Sequence, residues 1–202
     1  ELRRLDQKKA LGRVIVAHLG NGASITAVKG GRSFDTSMGL TPTGGILMSS
    51  RTGDVDPGTS LYIMKSEGLS VDSMSRLVNH ESGLLGISET SSDMHDLLLR
   101  EATDDRAREA VDLFCYEAKK RIGAYAAGLG RVETIIFTSG FGQNAMTIRA
   151  RICEELEFLG ISLDEERNQN NEEIISATSA PVCVRVIHTN EELTIAHITS
   201  EI

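Results

Sequence analysis

Proline and cysteine are scarce in this sequence, three of each in 202 residues. No apolar run approaches the ~20 residues that a membrane-spanning helix requires. With 19 glycines against so few prolines, the chain reads as one of many tight turns, not of disordered linker. Basic residues are in deficit: 21 Lys and Arg stand against 29 Asp and Glu, a net charge of −8. That balance argues against a general phosphate-backbone binder, which needs clustered Lys and Arg. Neither nucleic acid nor a membrane is an expected partner. Cys115, Cys153 and Cys183 lie far apart in apolar stretches, and no pair has metal-ligand spacing. They are expected to be buried free thiols of a reducing, cytoplasmic compartment. The first residue is Glu1 and nothing after it resembles a signal peptide, so the chain is expected to begin inside a longer product or to have been processed.

Several catalytic signatures are missing as well. GxxxxGK[ST] does not occur, which excludes a Walker-type nucleotide binder. HExxH is absent, and DVDPG is too short for an EF-hand loop. A dinucleotide fingerprint needs a helix after its glycines, whereas HLGNGAS is followed by the β-rich residues 24–28. No strand carries the carboxylate cluster that a two-metal nuclease needs.

What is present begins with a basic, polar arm or helix end over residues 1–11. Residues 14–17, 24–28 and 33–34 read as a meander of strands, with turns at 20–22 and 30–31. A long glycine-containing loop over 35–58 follows, of a length that is usually functional inside a compact domain. Helices are predicted over 59–66, from an N-cap at Ser70 to about His80, and over 93–100 with Ser92 as cap. The clearest helix spans 104–129, where Ala107, Val111, Phe114, Ala118, Ile122, Tyr125 and Leu129 recur at three- and four-residue steps. Residues 133–138 read as a buried strand, 139–144 (SGFGQN) as a glycine turn and 145–159 as a helix. A polar excursion over 162–180, a strand over 182–187 and a last helix over 191–200 complete the order. Meander, helices, strand, helix, strand, helix describes α/β layers on a mixed sheet.

Four segments carry residues suited to phosphate chemistry. At the first hairpin, Gly20 and Gly22 let backbone N–H groups turn outward into an anion-binding concavity, with Asn21, Ser24 and His18 as further donors. Asn-Gly is also an ordinary hairpin turn. SGFGQN lies between a buried strand and a helix, where it serves either a ligand at the sheet edge or a tight connection. Arg51, in SSRTGDVDPG, offers a planar fork to a phosphoryl group, or an ion pair to Asp54 or Asp56. In HTNEEL, Thr189 and Glu192 have capping-box spacing, which leaves Glu191 either free to hold Mg²⁺ or solvated in the first turn of the helix. His188 and His197 have no partner at metal-site spacing.

Together, VIVAHLGNGASITAVKGG, DTSMGLTPTGGILMSSRTGDVDPG, ESGLLGIS, FTSGFGQN and VIHTNEEL resemble the acetate and propionate kinase family of the actin/hexokinase-like superfamily, in the family's order and over nearly the whole chain. The resemblance implies a reaction in which ATP and a short carboxylate give ADP and an acyl phosphate by direct in-line transfer with Mg²⁺ (or Mn²⁺). It also implies roles: His18 on the transferring phosphate, Asn21 with Gly20 and Gly22 as phosphate cradle, and Arg51 on the carboxylate or transferring group. Glu191 would be the magnesium ligand. Gly140, Phe141, Gly142 and Asn144 would line the adenosine pocket, with Asp93 in the segment flanking adenine. His95 stands where the family often has arginine, Phe141 where it has an aliphatic residue and Gln143 where it has glutamate. The family's first-domain motifs, an Asn-x-Gly-Ser loop, an arginine, an aspartate and a further histidine, are missing. Residues 1–202 therefore resemble one domain, the nucleotide-binding C-terminal half of a two-domain kinase. The implied fold is a ribonuclease-H-like α/β unit: a mixed five-stranded sheet flanked by helices, its first three strands antiparallel. Such a half is expected to dimerise and to be inactive alone. The alternatives are a propionate or butyrate kinase, or a non-catalytic nucleotide-binding or dimerisation module.

Overall fold

Two one-turn helices, α1 (Leu2–Leu5) and α2 (Gln7–Ala10), lead into β1 (Arg13–Leu19), β2 (Ala23–Lys29) and β3 (Arg32–Thr36). These bounds come from a computed structural model, which describes residues 1–189 and 199–200. Beyond a long loop come α3 (Pro57–Ser66), α4 (Val71–His80), α5 (Gly83–Ser88), α6 (Met94–Arg100) and the long α7 (Asp105–Leu129). β4 (Thr134–Thr138) runs directly into α8 (Ser139–Asn144) and α9 (Met146–Cys153). A 3-10 turn at Glu157–Leu159 and α10 (Glu165–Gln169) precede β5 (Cys183–Val186).

The five strands form one sheet in the order β3-β2-β1-β4-β5. β1, β2 and β3 are the expected antiparallel meander, whereas β4 pairs parallel to β1, and β5 parallel to β4. Alternation along β1 divides its side chains between two faces. Ile15, Ala17 and Leu19 join the main core, with Ile25 of β2, Phe137 of β4 and Val184 of β5. Val14 and Val16 point to the other face, into a small cluster with Ile136, Ile187 and, from α1, Leu2 and Leu5. His18 shares that second face by the same alternation.

α7 packs on the main-core face through a stripe that includes Ala107, Val111, Phe114, Ala118 and Ile122, as its periodicity predicts. Its ends follow from local chemistry. The Asp104 side chain accepts from the backbone N–H groups of Arg106 and Ala107, and Gly130 closes the last turn at φ 79°.

The structure corrects several expectations. SGFGQN is not a turn: it is the helix α8, which starts without any break after β4. The helix expected over 145–159 stops at Cys153, because Glu154 is extended at ψ 136°. Asp93, not Ser92, caps α6, accepting from the N–H of His95 at 2.7 Å. Residues 83–88 form a helix that has no sequence signal, and the polar excursion holds α10 and a bridge from Ile174 to Arg185. The helix expected over 191–200 lies outside the described residues except for Thr199 and Ser200, which are helical.

Arg149 explains why a segment with two glycines is helical. This side chain is fully buried, and among the described residues no carboxylate is paired with it. Its Nη1 donates to the carbonyl oxygens of Gly142 (3.0 Å) and Gln143 (2.7 Å), which the end of α8 leaves without helical partners. Nε and Nη2 donate to Oδ1 and the carbonyl oxygen of Asn168, at 2.8 and 3.0 Å. Burial pushes the guanidinium down to about 10, still charged at neutral pH. One arginine therefore caps α8 and ties it to α10.

The three cysteines are free and buried, as expected. Among the described residues, no helix is long and apolar enough to cross a membrane. Burial pushes the Cys115 and Cys153 thiols up from 9.0 to about 12. Unfolding would let them ionise, so the stability they guard is fully present below pH 9.0 and lost as pH rises towards 12. All three thiols should resist a thiol reagent near neutral pH and react on unfolding in guanidinium, and the urea midpoint should fall as pH rises above 9.0. Fast labelling of the native protein would contradict this burial.

Candidate functional site

Parallel pairing of β1 with β4, from Val14↔Thr134 to His18↔Thr138, makes both strands leave the sheet side by side at one edge. Open α/β sheets bind ligands at that edge, beyond the carboxyl ends of parallel strands. From β1 the chain turns through Gly20, Asn21 and Gly22 back into β2, pairing His18 with Ser24. From β4 it turns at Ser139 into α8. The two corners touch. A Cβ on residue 20 would sit 2.7 Å from Ser139 Oγ, so glycine is what lets them meet. Ser139 has φ 66°, a left-handed conformation that costs a serine about 1–3 kcal/mol. Such strain concentrates at functional corners.

The loop over 37–56 is held by backbone hydrogen bonds. The N–H of Ser49 donates to the Asn21 carbonyl (3.2 Å), that of Thr52 to Val78 (3.0 Å) and that of Ser82 to Ser50 (3.0 Å). The N–H groups of Leu84 and Leu85 donate to the carbonyls of Met48 and Ser49, at 2.8 and 3.0 Å, which anchors α5 and with it the Arg51 segment. Neither acid that the sequence offers to Arg51 takes it. Asp54 accepts from the Gly45 N–H (2.7 Å) and pairs with Arg121 of α7 (2.5 Å). Asp56 caps α3, accepting from the Gly58 N–H at 2.7 Å. Arg51 Nη1 donates to the Pro42 carbonyl oxygen at 3.2 Å and lies 3.8 Å from Met48 Sδ. Among the described residues no carboxylate pairs with Arg51, so its charge is available to an anion.

Asn21, Gly22, Ser49, Ser50, Arg51, Ser92 and Asp93 line one cleft of about 310 Å³. Three segments far apart in sequence thus meet, and the walls carry hydroxyls, amides, one guanidinium and one carboxylate. Arg51 stands over the hairpin: a Cβ on Gly22 would lie 3.3 Å from its Nη1. His18 is half-buried at the end of β1, on the sheet's second face beside Ser24 and Thr138. Asp93 is exposed, with one carboxylate oxygen spent on its cap.

The expected nucleoside residues divide. Gly140 is exposed at the head of α8, within 4.0 Å of Gly20 for an added Cβ, and Asn144 is exposed at its end. Gly142 is buried against β1 and β4. The Phe141 ring packs edge-on against Phe114, with centroids 5.9 Å apart, and so seats α8 on the core. Glu191 lies outside the described residues. Among the described residues no group of three or more His, Cys, Asp or Glu could hold a metal ion. Sequence reasoning missed Ser139, the Ser49–Ser50 pair and Arg149. The two serines directly before Arg51 were a usable signal, whereas nothing local marks Ser139 or Arg149.

A three-strand antiparallel meander continued by parallel strands, with loops converging at the parallel strand ends, places this domain in the actin/hexokinase-like fold class. Within that class the chain belongs to the Acetokinase family, which matches residues 2–197. It is 47% identical over 203 residues to the acetate kinase of Coprothermobacter proteolyticus, covering 99% of this chain and 51% of that protein. It is 48% identical to the acetate kinase of Symbiobacterium thermophilum, covering 94% of this chain and 48% of the relative. Among solved structures, Porphyromonas gingivalis acetate kinase superposes with a TM-score of 0.91 at 41% identity, over 95% of this chain and 49% of that one. A propionate kinase from Francisella tularensis gives 0.89 at 41% identity, over 96% and 50%. The chain spans about half the length of the curated relatives it matches.

Gly83 tests the anchoring of the arginine loop. Its φ is 63°, and an added Cβ would overlap the Met48 carbonyl oxygen and lie 2.8 Å from that of Arg51. Gly83→Ala should therefore destabilise the fold by about 2–4 kcal/mol in urea denaturation. A change below about 0.5 kcal/mol, the range of ordinary surface substitutions, would contradict the tight approach.

Proposed function

We propose that this chain is the nucleotide-binding half of a short-chain carboxylate kinase. The full reaction is ATP plus acetate giving ADP plus acetyl phosphate, by direct in-line phosphoryl transfer. One observation supports this above the others: Arg51, free of any carboxylate partner among the described residues, shares a cleft with the Asn21–Gly22 hairpin tip, next to the glycine corner of α8. Phosphoryl transfer asks for positioning and charge neutralisation more than for covalent chemistry, and these groups suit that demand.

In this reading the backbone N–H groups around Gly20 and Gly22, with Asn21, hold phosphates. Arg51 neutralises the transferring group or the carboxylate. His18 donates to the transferring phosphoryl from the second face of the sheet. Gly140 and Asn144 border the nucleoside on α8, with Gly142 and Phe141 setting the height of that helix, and Asp93 flanks the base. Magnesium, or manganese, supplies charge neutralisation between phosphates when bound. A single carboxylate such as Glu191 suits an ion that keeps most of its waters. Acetate and propionate are both retained as substrate, because the acetate kinase and propionate kinase structures match this chain at the same 41% identity. A homodimer is part of the proposal. α3 has no buried residue, and Leu61, Tyr62 and Val71 on α3 and α4 are about 70% exposed, which suits a face covered by a second copy.

Calorimetric titration of ADP with Mg²⁺ tests the reading. Binding is expected for the chain itself, with affinity lowered about tenfold or more in Arg51→Ala, the loss of one charge-assisted hydrogen bond or more. Gly140→Val, which adds bulk at the exposed corner, should abolish it. Acyl phosphate formation by this chain alone is expected to be absent. Heat that is absent from every variant, or robust turnover by the chain alone, would contradict the proposal.

A further inference from the structure

Gln143 lies on α8, and its side-chain amide folds back to the Ser139 N–H at the head of that helix. It also reaches His188 and Thr189, just beyond the end of β5. One end of the amide faces three donors at once: the Ser139 N–H at 2.9 Å, the Thr189 N–H at 2.9 Å and the Thr189 hydroxyl at 3.1 Å. The other end faces His188 Nδ1 at 2.9 Å. An amide has one acceptor end and one donor end. Only one orientation satisfies all four neighbours: the oxygen takes the three donors, and the NH₂ donates to His188 Nδ1. That orientation requires a lone pair on Nδ1, hence a neutral imidazole with its proton on Nε2. If Nδ1 carries a proton, the amide must turn to accept it. Its NH₂ then confronts the two backbone N–H groups, keeping only the Thr189 hydroxyl (3.1 Å) and a long contact of 3.5 Å to the Ile187 carbonyl.

We infer that Gln143 is a positioning residue that locks the Ser139–Gly140 corner to the Thr189 segment that follows β5, and that the lock closes only on a neutral His188. The consequence for ligand rests on the proposed function: the corner that would border the nucleoside is held in register with the chain that leads to Glu191. The surroundings leave the imidazole as the element that switches. α8 and β4 carry no charged side chain. On β5 the charged residue is Arg185, already paired with Glu173 and Asp6. Arg149, bonded to the backbone carbonyl of Gln143, stays charged through neutral pH. Among the described residues, no Asp, Glu, Lys or Arg pairs with His188.

Amide hydrogen exchange read by NMR tests this without any ligand. Protection factors of the Ser139 and Thr189 amides are compared at about pH 8 and about pH 5. In the unaltered chain both should fall about tenfold at the lower pH, the scale of one lost hydrogen bond. Gln143→Glu offers an acceptor at both ends, so its protection should not fall on acidification. His188→Asn, at an exposed position, should hold protection constant with pH, and Gln143→Met should lower it at both values. Equal protection at the two pH values in the unaltered chain, or a fall in His188→Asn as large as its own, would overturn the inference. A parallel ADP titration separates the two claims. Absent binding together with the predicted protection pattern would refute the nucleotide reading alone, whereas ADP binding with pH-indifferent protection would refute the lock alone.

Discussion

The parallel pairing of β1 with β4 is the constraint on which this molecule depends. Once those strands run side by side, the hairpin after β1 and the helix after β4 must emerge together. Their contact through Gly20 and Ser139 is then a matter of one missing Cβ. The antiparallel meander fixes the hairpin, and the main core under α7 fixes the height of β4. A second layer of backbone hydrogen bonds brings the 37–56 loop to the same edge, so the Arg51 side chain arrives over Gly22 although neither residue is near the other in sequence.

Charge placement follows the same logic. The acids nearest to Arg51 in sequence are occupied elsewhere, Asp54 by Arg121 and Asp56 by the α3 cap. An arginine whose local acids are engaged in holding its own loop is left with an unspent charge, and that is what an anionic substrate requires. Arg149 shows the opposite use of the same side chain: buried, saturated by carbonyl and amide oxygens, and unavailable for ligand. The two arginines differ in what surrounds them, not in type.

Where local chemistry decides structure, the sequence was legible. Asn-Gly between β-rich runs identified the first hairpin, three- and four-residue apolar steps identified α7, and five segments in order identified the family. Where tertiary contacts decide, it was not. SGFGQN has two glycines in six residues and no apolar period, so its helix is visible only once Arg149 caps its carbonyls and Phe141 meets Phe114. The same holds for α5, which exists because Met48 and Ser49 accept its first N–H groups. Of the candidate site, Asn21, Gly22, Arg51 and Asp93 were named from sequence and do share a cleft, while Ser139 carried no signal because its role is its backbone conformation.

The proposal that two corners of one sheet edge grip one nucleotide is tested most directly by an amide chemical-shift map of the chain titrated with ADP. Shifts should concentrate at residues 20–22, 49–51, 92–93 and 139–144, with α10 and the outer face of α7 unmoved. Shifts gathered along α7 around Tyr116, or confined to one corner while the other stays silent, would contradict it.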